Sequence, residues 1–364
     1  MSVTTARRKL DHIRICLEKT VECRERPFED LVLVHRALPE INANEIDISC
    51  HFLGRRLEAP MIISAMTGGH PATRKINVNL ARAAQEMGVA LGVGSQRAAL
   101  EDPDQEHTFY AVREAAPDVP IIGNIGAVQL RQSGHKVLET LADMIDADAI
   151  AVHLNFLQEC IQPEGDRDAK EVLEVVRSAA CGDIPLIIKE TGSGISNEVA
   201  RDLVKAGISI IDVSGSGGTS WSGVEAYRAE ESGDMESLEM GRLFWNWGIP
   251  TPVSVVECLS AGAEVIASGG IRSGMDAAKS IALGASIAGV ALPLLIPATK
   301  GSEEVSKALK AYVRALKISM FLTGSRNIKE LQSAPLIVLG RTREWLDQRG
   351  FDIRKFSFQK ELAR

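Results

Sequence analysis

A histidine, two amides and a carboxylate occur within residues 153–159, which read HLNFLQE. On a strand, His153 and Asn155 share one face because successive side chains alternate. Histidine and the amide of Gln158 can hold or relay a proton, and Glu159 can bind Mg²⁺, which takes one or two carboxylates plus substrate phosphate oxygens. The stretch therefore indicates proton transfer beside a metal. The alternative is a core histidine followed by two residues that cap the next helix.

A compact cationic cluster lies near the amino terminus, at Arg8, Lys9 and His12. A helix would bring Arg8 and His12 onto one face. In a chain that is otherwise acidic, this cluster suits a diphosphate ligand, whereas a solvated run of charges is the alternative.

Three turns of small residues end apolar runs, at residues 214–219, 268–274 and 289–293, and the first two are rich in glycine and hydroxyl groups. Glycines let backbone N–H groups approach an anion, and Arg272 adds a fixed cation. One such turn commonly does no more than reverse the chain. Three turns at equivalent positions of one fold indicate a phosphate site.

Small and polar residues end several other apolar runs of the chain. These residues suit a flat heteroaromatic ring, which needs hydrogen-bonding partners at its edges and a nearby cation. Lys189 would supply the cation. Its alternative is an ion pair with Glu190 or Asp212, because a buried charge is costly unless it is paired. The ring and the phosphate site together predict flavin mononucleotide (FMN). The ring candidates are residues 65–69, residues 95–97, Asn124 and Lys189.

Eight short apolar runs must position these groups. Uninterrupted apolar runs are typical of strands buried on both faces, as parallel sheets require. Eight strand–helix units predict an α/β TIM (β/α)8 barrel whose strand C-termini face the active site, and a doubly wound sheet is the alternative. The runs are residues 59–65, 89–94, 120–126, 148–155, 184–190, 208–215, 263–270 and 286–292.

The chain is predicted to be one domain with the barrel at residues 59–300. Residues 1–58 form an N-terminal extension that carries the basic cluster. Residues 301–364 form a helical tail with an amphipathic helix at residues 303–322.

Between the sixth and seventh runs, Thr251 as N-cap and Pro252 as the first helical residue predict a helix start. Residues 217–247, with three of the four tryptophans, predict an excursion over the active face.

Composition excludes several classes of function. Lys and Arg number 41 against 48 Asp and Glu, a net charge of −7 that argues against a nucleic-acid binder. The charged amino terminus leaves no apolar core for a secretory signal, and no apolar stretch is long enough for a membrane span. The six scattered cysteines contain no C-x-x-C, which indicates a reducing compartment. We expect a cytoplasmic protein without membrane or nucleic-acid partners.

The motifs resemble those of type 2 isopentenyl-diphosphate delta-isomerases, which are FMN-dependent TIM-barrel enzymes. They cover nearly the whole chain in order. Phe156 departs from the pattern, since several members have proline there, and this puts only the path of the loop in doubt. The matching segments are RKLDH at Arg8, AMTGG at Ala65, GVGSQR at Gly92, HLN with QE at His153, KETGSGIS at Lys189, SGSGGT at Ser214, SGGIRSG at Ser268 and ALP at Ala291.

The resemblance implies a role for each matching position. The implied FMN contacts are Ala65, Met66, Thr67, Ser95, Asn124, Lys189, Ser214, Thr219, Gly270, Ile271, Arg272, Ala291 and Leu292. The implied substrate contacts are Arg8, Lys9, Ser95, Gln96, Arg97, His153, Asn155 and Gln158. Glu159 is the implied Mg²⁺ ligand, and the implied catalytic residues are Gln158, His153 and Lys189.

The implied reaction moves a double bond in a five-carbon diphosphate. One proton is added to the terminal methylene and another is removed from the carbon two positions in. Reduced FMN would stabilise the positive charge and exchange protons, with Lys189 favouring its anionic form. NADPH would reduce the flavin without being consumed at each turnover, and Mg²⁺ with Arg8 and Lys9 would clamp the diphosphate. A homo-oligomer, tetramer or octamer, is also expected.

Three other functions are less consistent with the residues. The nearest is an FMN-dependent TIM-barrel oxidoreductase acting on a small anionic substrate, but hydroxy-acid oxidation calls for a histidine beside Arg272. A nucleotide dehydrogenase needs a nucleophilic cysteine in the loop at residues 214–219, which has none. A silent flavin-binding barrel is disfavoured because the group at residues 153–159 is intact.

Overall fold

Eight parallel strands close into a barrel, and neighbours in the barrel are consecutive in the chain. The computed structural model describes residues 3–358, so residues 1–2 and 359–364 of the predicted extension and tail lie outside the described part. Each strand falls inside one of the eight predicted runs, which confirms the TIM barrel. The strands are β1 (Met61–Ile63), β2 (Ala90–Gly92), β3 (Ile121–Gly126), β4 (Ala149–Leu154), β5 (Leu186–Glu190), β6 (Ile210–Asp212), β7 (Glu264–Ala267) and β8 (Ile287–Val290).

An apolar layer fills the lower part of the barrel. Because side chains alternate along each strand, every second residue points inward. A hairpin of Cys50–Phe52 with Arg55–Leu57 adds Phe52 and Leu57 to this layer. The barrel is therefore a packed core at this level rather than a pore. Its strand residues include Ile62, Ala90, Ile122, Ala151, Ile187, Ile210, Ile266 and Ile287.

A polar layer lies above the apolar one, two residues further along the same strands. His153, Lys189 and Asp212 are register partners on β4, β5 and β6, so they lie side by side. The sequence thus switches from apolar to polar at the carboxyl end of the barrel. The layer consists of Ser64, Asn124, His153, Lys189, Asp212 and Ser268.

Helices connect the strands and extend beyond them. Ser196 and Ser273 cap two of these helices through their side chains, as expected for serine at a helix start. The α-helices are α1 (Val3–Glu18), α2 (Pro71–Met87), α3 (Arg97–Glu101), α4 (His107–Ala115), α5 (Ala127–Ser133), α6 (Val137–Ile145), α7 (Phe156–Ile161), α8 (Val172–Ala179), α9 (Asn197–Lys205), α10 (Trp221–Ser232), α11 (Met235–Leu243), α12 (Thr251–Ser260), α13 (Gly274–Leu283), α14 (Leu292–Lys300), α15 (Ser302–Thr323), α16 (Ile328–Leu331) and α17 (Gly340–Gln348). Short 3₁₀ helices occur at Pro27–Asp30, Ala43–Glu45, Pro103–Gln105 and Ile353–Phe356.

The start of α12 differs by one residue from the prediction. Pro250 is the N-cap, so Thr251 is the first helical residue and Pro252 the second. The predicted capping role of Thr251 is therefore wrong. Its hydroxyl instead donates to the carbonyl oxygen of Gly269 at 2.6 Å, because the loop after β7 passes directly beside this helix start.

The parts outside the barrel pack onto it. Leu31–Leu33 pairs antiparallel with Leu336–Val338, which joins the N-terminal extension to the tail. Helix α15 packs against α2 and α13, and the excursion after β6 forms α10 and α11. Helix α1 packs on α10 and on α14. Within residues 3–358, none of the helices combines the length and the apolar character that a bilayer crossing requires.

Candidate active site

A cavity of about 250 Å³ opens at the carboxyl ends of the strands. Every residue that the resemblance implies as an FMN, substrate or metal contact lines this cavity, except Gln96 and Ile271. The sequence separations among them are large, so the closed barrel and helix α1 packed on it bring them together. Helix α1 and the loops after the strands complete the walls.

The loops after β6 and β7 approach each other more closely than side chains would allow. A Cβ atom on Gly218 would lie 2.5 Å from the backbone nitrogen of Gly270. Likewise, a Cβ on Gly289, within β8, would lie 2.5 Å from the hydroxyl of Ser64. Glycine is required at these points, which leaves backbone groups facing the cavity.

Unpartnered polar atoms lie in the same part of the cavity. The guanidinium of Arg272 donates to Glu22 through Nε and to the Ile271 carbonyl through Nη1. Its Nη2 atom is buried and, like the hydroxyl of Ser64, has no hydrogen-bond partner among the described residues. A cation with a free donor beside glycine turns fits a phosphate group.

Lys189 both lines the cavity and forms the alternative ion pair. Its ammonium lies 3.2 Å from Asp212 and donates to the Glu190 carbonyl at 3.0 Å. The carboxylate of Asp212 also accepts the hydroxyl of Ser268. The two interpretations made from the sequence are therefore compatible, since one face of the lysine meets Asp212 and the other the cavity.

His153 is held neutral in the polar layer. Its Nδ1 atom lies 2.8 Å from the Asn124 side-chain oxygen, which fixes the ring. Burial, together with the positive charges of Lys189 and Lys9, lowers the pKa of His153 to about 4. At neutral pH the ring therefore carries one proton, and Nδ1–H donates to Asn124 while Nε2 keeps its lone pair.

Helix α1 brings cations to the mouth of the cavity. The ammonium of Lys9 donates to the carbonyl oxygens of Gly68 at 2.6 Å and Ser95 at 3.2 Å. Burial and the neighbouring charge of Arg8 lower the pKa of Lys9 to about 8. Arg97 lines the cavity as well and pairs with Glu101. Arg8 also lines the cavity and lies 3.9 Å from Glu164, so these cations, although partly paired, could contact an anionic ligand at the mouth.

The carboxylate of Glu159 lies in a cage of amides. One oxygen accepts from Asn155 at 2.8 Å, and the other accepts from Gln162 at 2.6 Å and from the backbone of Asp166 at 2.8 Å. Within residues 3–358, no group of three or more His, Cys, Asp or Glu side chains could hold a metal. Any cation bound here would take most of its ligands from substrate and water.

A buried glutamate that the sequence analysis did not identify organises the other side of the mouth. Glu225 on α10 accepts from Gln158 at 2.9 Å and contacts Nε2 of His12 at 2.8 Å. Burial alone would raise its pKa, but the hydrogen bond and charge of His12 and the charge of Arg228 lower it to about 2. Only the tryptophan-rich excursion pointed to this region, and nothing in its pattern singled out Glu225.

Gln96 and Ile271 are the predicted site residues that the structure does not bring to the cavity. Gln96 is fully buried, and its side chain donates to the Leu141 carbonyl and accepts the backbone N–H of Asn124. It therefore acts on the site through Asn124. The side chain of Ile271 is 1% exposed and packs in the core.

Comparison with known proteins indicates the family to which a site of this geometry belongs. A profile of the FMN-dependent dehydrogenase family matches residues 13–114 and 129–338. The chain is 64% identical over 356 residues to an isopentenyl-diphosphate delta-isomerase of Methanothrix thermoacetophila, covering 98% of this chain and 99% of that protein. It is 48% identical to a protein of the same name from Archaeoglobus fulgidus, covering 96% of this chain and 100% of that one.

Solved structures of more distant proteins share the fold. A mandelate oxidase variant superimposes with a TM-score of 0.63 at 19% identity, covering 93% of this chain and 100% of that one. A flavocytochrome b2 variant gives a TM-score of 0.62 at 17% identity, covering 89% and 77%. Such identities establish the barrel and nothing more, whereas the near full-length identity to the archaeal enzymes shows that the chain belongs to the FMN-dependent, type 2 isopentenyl-diphosphate delta-isomerase family.

Proposed function

We propose that this enzyme interconverts isopentenyl diphosphate and dimethylallyl diphosphate, using reduced FMN and Mg²⁺. The observation that carries the proposal is a single cavity that combines two kinds of site. One part has glycine turns and a free arginine donor, and the other has cations, a neutral histidine and a caged carboxylate. The two parts lie across the barrel, since β4 is four strands away from β8 around the ring.

The residues of the cavity fit FMN. The unpartnered Nη2 of Arg272 and the backbone of the glycine turns would hold the phosphate. Ala65, Met66, Thr67 and Lys189 would surround the ring. When bound and reduced, FMN would supply an electron-rich surface that stabilises positive charge on the substrate.

The mouth residues would orient a five-carbon alkenyl diphosphate. Arg8, Lys9 and Arg97 would neutralise its charge, so that the hydrocarbon end points into the barrel. The neutral His153 would keep its Nε2 lone pair available to a hydrogen-bond donor. Gln158, held by Glu225, would lie beside the reacting carbons and orient a proton there. The reaction adds one proton and removes one, so atoms and electrons balance without a net redox change.

Glu159 would hold Mg²⁺ against the diphosphate. The metal would take one carboxylate oxygen from the protein and its other ligands from phosphate and water, as Mg²⁺ commonly does. The three hydrogen bonds to Glu159 fix the carboxylate before the metal arrives. Both metal and diphosphate would then be required for tight binding.

NADPH as the flavin reductant, a cytoplasmic location and a tetrameric or octameric state belong to the same proposal. The first is checked by counting turnovers for each NADPH oxidised. Light scattering of the purified protein checks the oligomeric state.

The decisive assay incubates the protein with FMN, NADPH, Mg²⁺ and isopentenyl diphosphate without oxygen. We expect dimethylallyl diphosphate to form in large excess over the NADPH consumed. Absence of product with fully reduced, bound flavin would argue against an isomerase. One NADPH oxidised for each product would favour the oxidoreductase alternative.

A further inference from the structure

An ion pair lies directly beneath the cavity, in the polar layer of the barrel. The Lys189 ammonium is 3.2 Å from one carboxylate oxygen of Asp212, and the other oxygen accepts the hydroxyl of Ser268 at 2.5 Å. The side chains of Lys189 and Asp212 are only 10% and 6% exposed. Lys189 lines the cavity whereas Asp212 does not, so the carboxylate of Asp212 would act on a bound ligand through Lys189.

The other ionisable groups around Lys189 do not neutralise it. His153, its register partner on β4, is uncharged at neutral pH, since burial and the charges of Lys189 and Lys9 lower its pKa. The carboxylate of Glu190, next on the same strand, accepts the three backbone N–H groups that follow it. Glu190 contacts the ammonium of Lys189 through its main-chain oxygen. Asp212 on β6 is therefore the direct counter-charge of the lysine.

We propose that Asp212 is a positioning residue that keeps Lys189 charged and fixed against the flavin ring. This inference rests on the FMN-binding part of the proposed function. A buried ammonium without a counter-charge gives up its proton more readily, because burial penalises the charged form. With Asp212 in place, the ammonium of Lys189 keeps a fixed counter-charge 3.2 Å away on the side opposite the cavity. Without it, the charge beside the ring would change with pH.

The test is a pH titration of the absorbance of bound, oxidised FMN in the full-length protein. Asp212→Asn keeps the size of the side chain and an oxygen acceptor but removes the charge. We expect an added step of one proton below the ordinary titration range of lysine, because a buried ammonium without a counter-charge loses its proton more readily. The wild-type curve should lack this step. Lys9, with a pKa lowered to about 8, and Glu190, with a pKa raised by burial to about 7, titrate in both proteins, so the step is read from the difference between the two curves. The double variant Asp212→Asn with Lys189→Gln should lose it, which assigns the step to the lysine.

A matched control separates this role from a general loss of stability. Asp148, just before β4, also forms a buried ion pair, with Arg113 at 2.9 Å, and both side chains are 11% exposed. Asp148→Asn should lower the melting temperature without adding a step to the flavin titration. Asp212→Ser repeats the test with a smaller polar side chain should the asparagine variant fail to fold.

The outcomes distinguish this inference from the proposed function. Wild-type protein that binds no FMN overturns the proposed function and this inference with it. A titration of the Asp212→Asn flavin that superimposes on the wild-type curve overturns the inference alone. So does the same step in Asp148→Asn. Failure of both Asp212 variants to fold would assign the pair to folding and would likewise reject a role toward the flavin.

Discussion

The free donor of Arg272 gives a sharp prediction about which part of the flavin it holds. Riboflavin has the same ring as FMN but lacks the phosphate. If Arg272 binds that phosphate, Arg272→Met should weaken FMN and leave riboflavin almost unaffected. The guanidinium has one buried nitrogen without a partner and a second engaged by Glu22, so one direct hydrogen bond to the phosphate is available.

The magnitude follows from the kind of bond. A hydrogen bond to a charged group is worth about 1.5–3 kcal/mol, which corresponds to roughly a 10- to 150-fold loss of FMN affinity. Removing the arginine also leaves the carboxylate of Glu22 without its partner near the phosphate, and the repulsion between the two anions would weaken FMN further. Flavin fluorescence quenching, titrated into flavin-free protein with FMN and with riboflavin, measures both affinities.

The control is Arg242→Met, which removes an arginine whose side chain is 60% exposed and pairs with Glu230 on the excursion. Neither flavin should change its affinity for this variant. Equal losses for FMN and riboflavin in Arg272→Met would refute the reasoning, because the arginine would then act on the fold. An unchanged FMN affinity would place the phosphate elsewhere.

Three further predictions concern the glycine cradle, pH and the metal. Gly218→Ala places a Cβ 2.5 Å from the nitrogen of Gly270, so the two loops must separate and FMN should bind at least about tenfold more weakly. The control is Gly301→Ala, whose added Cβ has no atom within 4 Å, and this variant should bind FMN normally in the same titration. Because the pKa of His153 is lowered from 6.5 to about 4, the free energy of unfolding should be highest above pH 6.5 and fall by at most about 3 kcal/mol as the pH falls toward 4. Urea unfolding at a series of pH values measures this dependence, and a His153→Asn protein with the same pH dependence would contradict the assignment. Glu159→Gln should raise the Mg²⁺ concentration needed for half-maximal isomerase activity while bound flavin stays unchanged, and normal activity at low Mg²⁺ would exclude the metal role.

The lengths of the apolar runs and the positions of the glycines predicted much of the fold and of the site. The runs predicted all eight strands, because a strand buried on both faces must be apolar along its whole length. The ends of those runs also identified Lys189 and His153, since parallel strands in a barrel bring their carboxyl ends to one rim. Local sequence was sufficient here because the physical requirement is itself local.

Only the tertiary structure decided which side chains meet. Glu225 and Glu22 belong to an excursion and an extension whose paths no periodicity fixes, yet they hold Gln158 and Arg272. Gln96, which the resemblance implies as a substrate contact, instead turns into the core, because its amide satisfies buried backbone groups. Partner choice depends on distances between segments far apart in sequence, and those distances exist only once the barrel has closed.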